Sequence, residues 1–124
     1  MVERALLAWD GRRAAARALS DAMALLESSV AVTVLTIGTG PAAERAEGRD
    51  VVSHLERHGV SVDWRNVANP PAGIAKCILD IADETAAGML VMGAYEHSKF
   101  SEDLLGGVTN TVFRDAKVPI LTAH

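Results

Sequence analysis

One cysteine, Cys77, stands in 124 residues. A single thiol excludes an internal disulfide, and with it the small secreted scaffolds that depend on such bridges. It fits a reducing compartment, so a cytoplasmic location is expected. Aromatic residues are scarce too, at 4% of the chain. Ala, Val, Leu and Ile must therefore fill the core. No apolar run approaches the roughly 20 residues that span a bilayer, so no transmembrane helix is expected. Glu3 and Arg4 sit inside the first strand-like pattern, which argues against a signal peptide. The formal net charge is only −4, giving no general electrostatic reason to bind nucleic acid or an anionic membrane. Internal repeats and low-complexity tracts are lacking.

Several catalytic signatures are lacking as well. There is no G-x-S-x-G and no G-x-x-x-x-G-K-[ST]. His54 and His58 are four apart, but Leu55 stands where a zinc-protease motif needs Glu, and no third ligand is evident. That pair reads as a solvated helix face, and no metal site is assigned. Gly38-Thr39-Gly40-Pro41-Ala42-Ala43 imitates a dinucleotide fingerprint after a strand. Pro41 and Gly48 leave too short a segment for the long helix that the fingerprint opens, so this reading is set aside. His97 and Ser98 share a loop, but no carboxylate-histidine-serine arrangement can be drawn from the sequence.

What is present is regular alternation. Hydrophobic residues make up 49%, which argues against disorder, and the length suits one domain over residues 1–124. Arg4 to Trp9 is a short apolar run ended by Asp10-Gly11, suited to a buried central strand. From about Arg13 to Ser28, Ala15, Leu19, Ala22, Met23 and Leu26 fall at helical spacing. Val30 to Ile37 is β-branched and reads as a second strand. A loop with Pro41 is expected from Gly38 to Gly48, then a helix over Asp50 to His58 stopped by Gly59. Val60 to Val67 alternates as a strand with one wetter face, near a sheet edge. After Asn69-Pro70-Pro71, Ala72 to Ala87 is the clearest amphipathic helix, with Cys77 on its apolar stripe and Gly88 closing it. A last short strand covers Val118 to Thr122. Such alternation implies βαβ units and a parallel sheet covered on both faces, an α/β fold.

The stretch Leu90 to Thr109, LVMGAYEHSKFSEDLLGGVT, carries the functional signal. An apolar run from Met89 to Met92 stops at Gly93. A polar loop follows, and Gly106-Gly107 opens a helical pattern through Val108, Val112, Phe113 and Ala116. Strand, glycine, loop, glycine pair, helix is a layout suited to an anion. Unpaired N–H groups at a helix start favour negative charge, and glycine lets oxygens approach the backbone. Glycine at both ends of the loop is equally compatible with ordinary turn chemistry.

This half of the chain resembles the universal stress protein family. Nucleotide-binding members carry Gly, two residues, Gly, nine residues, then Gly and Ser or Thr after the fourth strand. Gly93 and Gly106 match the first and third positions. Glu96 stands where the second glycine belongs, and Gly107 where Ser or Thr belongs. LLAWDGRRAAARAL resembles the family's first strand, Asp-Gly turn and first helix; VPILTAH resembles its last strand.

The resemblance implies a doubly wound five-stranded parallel sheet of order 3-2-1-4-5, with helices on both faces. Asp10 and Gly93 would then flank the switch-point crevice. It also implies a non-catalytic stress-response protein, usually a homodimer and often an ATP binder, with Mg²⁺ only alongside ATP. The implied nucleotide positions are Asp10, Ile37, Met92, Gly93, Gly106, Gly107, Val108 and Thr109. Each has a plainer alternative. Asp10 can cap the helix that follows it. Ile37, Met92 and Val108 can be ordinary packing, and Thr109 can bond its own backbone. Arg12 departs from the family's frequent Ser or Thr; it offers a charge to phosphate or is a solvated arginine. The last strand is the expected dimer edge. A nucleotide-free interaction module and a nucleotide hydrolase or phosphotransferase are the rival readings.

Overall fold

The structure, a computed structural model, describes residues 2–38, 46–94 and 107–124. Its elements run β1 (Arg4–Ala8), α1 (Arg13–Glu27), β2 (Ala31–Ile37), α2 (Ala46–Arg57), β3 (Val62–Val67), α3 (Ile74–Glu84), β4 (Met89–Gly93), α4 (Gly107–Asp115) and β5 (Ile120–Ala123). The five strands are parallel in the order β3-β2-β1-β4-β5, as the resemblance implied. β1 pairs with both β2 and β4, and Ala8 lies level with Leu35 on one side and Met92 on the other.

Strand side chains alternate between two cores because successive residues point to opposite faces. Ala5, Leu7, Val32, Val34, Met89 and Val91 meet Ala18, Ala22 and Leu26 of α1 and Val51 and Leu55 of α2. Leu6, Ala8, Leu35, Ile37, Leu90 and Met92 meet Ile74, Ile78 and Ile81 of α3 and Val112 of α4. β1 and β4 are thus apolar on both faces, which explains their uninterrupted runs. β3 is an edge strand, in keeping with its wetter face.

α1 sits close over β4. A Cβ placed on Gly93 would fall 2.6 Å from the Ala15 nitrogen and 2.8 Å from the Ala14 Cβ. Ala14 and Ala15 are buried, so three small residues let helix and strand backbones touch.

Several boundaries differ from the sequence reading, each for a local reason. α2 begins at Ala46 rather than Asp50 and runs through Gly48. A Cβ there would fall inside the Trp64 ring, so packing under the indole outweighs glycine's poor helix propensity. The remainder of the expected loop, residues 39–45, lies outside the described residues. α3 spans Ile74–Glu84 rather than Ala72–Ala87: Gly73 has φ 95° at its start, and Ala86 has φ 53° after its end. β2, β3 and β5 begin two residues or fewer later than their apolar runs. Phe113, placed on the apolar stripe of α4, is 37% exposed.

The ends of α2 and α3 are built alike. In α2, Gly59 N–H donates to the Glu56 carbonyl and Val60 N–H to the Leu55 carbonyl. In α3, Ala86 N–H donates to Asp83 and Ala87 N–H to Ala82. Both are Schellman closures, which place one residue in the left-handed region. Gly59 (φ 80°) meets that demand without strain, whereas Ala86 carries a Cβ there.

Two stability predictions follow from these contacts. Ala86→Gly should stabilise the protein by about 0.5–1 kcal/mol, the relieved strain less the added freedom of the unfolded chain. Gly59→Ala should act in the opposite sense; urea denaturation measures both, and equal behaviour at the two sites would contradict this account. Gly93→Ala should cost roughly 1–3 kcal/mol, because the atoms it meets are mainly backbone that cannot rotate away.

Candidate functional site

β1, β2 and β4 all end at one rim of the sheet, and the chain leaves β1 and β4 toward opposite faces. Asp10 emerges between the end of β2 and the end of β4. Trp9 N–H donates to the Leu35 carbonyl at 2.9 Å, holding this exit against β2. Ala94 N–H donates to the Ala123 carbonyl at 2.9 Å, holding the exit of β4 against β5. Asp10, Ile37, Met92 and Gly93 are thereby brought to one rim of the sheet.

Their individual surroundings separate them. Asp10 is buried at 9% exposure, and its Oδ1 accepts from Arg12 N–H at 2.9 Å. This is a bond to the residue two ahead, an Asx turn, with Gly11 at φ 76° making the corner. The expected cap is therefore local: Arg12 is the N-cap residue of α1, and its own side chain makes no capping bond. Arg12 and Arg13 are exposed. Ile37 and Met92 are buried in the core shared with α3 and α4, so their side chains pack and only their backbone borders the crevice. Gly93 is accounted for by the approach of α1.

The end of β2 is braced by a chain of hydrogen bonds that the sequence did not reveal. Trp64 Nε1 donates to Thr36 Oγ1 at 3.1 Å, and Thr36 donates to Asn66 Oδ1 at 2.8 Å. Asn66 Nδ2 reaches the Gly38 carbonyl at 3.4 Å, and Gly38 N–H donates to Val67 at 2.9 Å. Alternation along β3 put Trp64 inward, but only the pairing of Thr36 with Asn66 across the strands brings these groups together. Beside Asp10, Trp9 Nε1 is the one buried side-chain polar atom without a hydrogen-bond partner among the described residues.

Gly107 opens α4, as its sequence position suggested. Val108 packs half-buried against the α3/α4 core, and Thr109 is buried in the first turn. Gly106, Glu96, His97, Ser98 and Lys99 lie outside the described residues. Cys77 is half-buried on α3, where burial, then Asp80 and Glu84, push its thiol up from the ordinary value. A groove of about 600 Å³ runs beside the crevice between α1 and β5, bordered by Arg17, Asp21, Ala94, Thr122 and His124. Arg17 Nη1 donates to the His124 carbonyl at 2.8 Å across it. Among the described residues, none of the sequence-predicted site residues lines this groove.

The geometry is that of a switch point between β1 and β4, with Asp10 beyond the end of one and a glycine-opened helix following the other. No curated protein matches the sequence. Among solved structures, a universal stress protein in complex with cAMP is 25% identical with a TM-score of 0.75, over 99% of this chain and 97% of that one. The hypothetical protein MJ0577 is 20% identical with a TM-score of 0.79, over 98% and 94%. A universal stress protein family protein from Arabidopsis thaliana with AMP bound is 13% identical with a TM-score of 0.64, over 94% and 87%. The last two likenesses concern the fold. The model of the universal stress protein family matches residues 42–124, and the chain belongs to that family.

Proposed function

We propose that this chain is a non-catalytic, cytoplasmic stress-response module whose switch-point crevice takes an adenine nucleotide with reduced affinity. The observation that carries this reading is the convergence of Asp10, the braced end of β2 and the end of β4 on one rim. The backbone beyond Ile37 suits a purine edge, and Asp10 suits a ribose hydroxyl. The crystallised relatives with cAMP and AMP support an adenine nucleotide as the ligand class. Absence from the sequence of a recognisable base, nucleophile or metal-binding carboxylate set supports binding without turnover.

Reduced affinity rests on two sequence departures. Glu96 takes a place where the family pattern has glycine, and Gly107 lacks the hydroxyl of Ser or Thr. A carboxylate about 4 Å from a phosphate charge costs about 4 kcal/mol at an effective dielectric near 20. Micromolar affinity corresponds to about 8 kcal/mol, so such repulsion carries binding toward millimolar. The lost hydroxyl removes about 0.5–1.5 kcal/mol more. Mg²⁺ bound with ATP would screen part of the clash.

A nucleotide-free interaction module is the second reading, and Gly93 favours it. That glycine is required by the contact with α1 whether or not a ligand is present. Calorimetry with Mg-ATP distinguishes the two. Glu96→Gly combined with Gly107→Ser should bind at least tenfold more tightly than the wild type. Tight wild-type binding, or no gain in the double variant, would contradict the account of the loop. Chromatography of any bound nucleotide over hours tests turnover; intact ATP supports a binder.

Self-association through β5 belongs to the same proposal. Among the described residues β5 pairs with β4 alone and forms one edge of the sheet. An unpaired edge recruits another strand, and a twofold contact lets the same edge satisfy itself. Light scattering at micromolar concentration should give twice the chain mass, and Ile120→Lys should reduce it to one. A wild-type monomer, or a dimer untouched in a folded Ile120→Lys variant, would refute this.

A further inference from the structure

His54 and His58 lie one turn apart at the C-terminal end of α2, which closes at Arg57. His54 is half-buried and His58 exposed. Their rings have turned toward each other, with centroids 4.6 Å apart and planes inclined at 49°. His58 Nδ1 lies 2.8 Å from the His54 carbonyl. A carbonyl only accepts, so Nδ1 carries the proton in that bond. A ring that donates from Nδ1 keeps Nε2 for a second partner. This is the arrangement usual for metal-binding histidines, whose other nitrogen is tied to a carbonyl or carboxylate that fixes the tautomer.

We propose that His54 and His58 form a two-imidazole site for a divalent cation of the Cu²⁺ or Ni²⁺ type. Ring centroids 4.6 Å apart are close enough for one ion to bond a nitrogen of each ring. Imidazole is a preferred donor for Cu²⁺ and Ni²⁺, and tetragonal geometry suits both. Among the described residues no group of three His, Cys, Asp or Glu is placed to hold a metal, so water fills the other positions. The site is therefore a two-point chelate, open to a further donor from a bound molecule.

Ni²⁺ is the suitable probe because it leaves the thiol of Cys77 unoxidised. The full chain is titrated with NiCl₂ at neutral pH by calorimetry, alongside His54→Ala, His58→Ala, the double variant and His124→Ala. One ion should bind per chain. Each single variant at position 54 or 58 should lose at least tenfold in affinity, and the double variant should lose no more than the weaker single, because a chelate is lost whole. His124→Ala should bind as the wild type does. His54→Gln repeats the test with a side chain of similar size should the alanine variant fold poorly. Ni²⁺ should also raise the melting temperature of the wild type, as native-state binding requires, and leave the double variant unmoved. Unchanged affinity in the variants at 54 and 58, or loss of binding in His124→Ala, would overturn the proposal.

Discussion

The contact between Gly93 and the first turn of α1 sets the geometry of this fold. Ala14, Ala15 and Gly93 allow the helix to lie against β4 at backbone distance. With α1 fixed there, the Asp10 turn has little freedom, since only Gly11 and Arg12 separate it from the helix. The acidic side of the crevice is thus positioned by a packing contact made on the far side of β1. A ligand in the crevice would depend on a glycine that it need not touch.

The order of the strands then distributes the remaining work. β1 and β4 sit at the centre and are buried on both faces. The two cores on either side are nearly separate, one closed by α1 and α2, the other by α3 and α4. Crossovers of fixed hand send the first two helices to one face and the last two to the other. The switch point between β1 and β4 is the geometric result.

Much of this was legible in the chain. Apolar runs ended by glycine located β1 and β4, helical spacing located α1 and α3, and Gly59 marked the end of α2. What escaped was tertiary. Gly48 looked like a helix boundary because its partner, the Trp64 ring, is sixteen residues away in sequence. Ala86 gave no sign of a helix end, since alanine rarely enters the left-handed region. The role of Gly93 was read as room for a ligand; the structure shows a helix in that space. The brace of Trp64, Thr36 and Asn66 depends on strand register, which composition cannot supply. Gly106 and Glu96 fall outside the described residues, and their reading rests on the family pattern.

The chain has two tryptophans, Trp9 and Trp64, and both pack against the core formed with α1 and α2. Intrinsic fluorescence at indole wavelengths therefore reports on one layer of this protein alone. Loosening of α3 and α4 would pass unseen, while any event that moves α2 off Trp64 would register at once. An unfolding curve followed by tryptophan emission and one followed by far-ultraviolet dichroism would coincide only if the two layers separate from the sheet together.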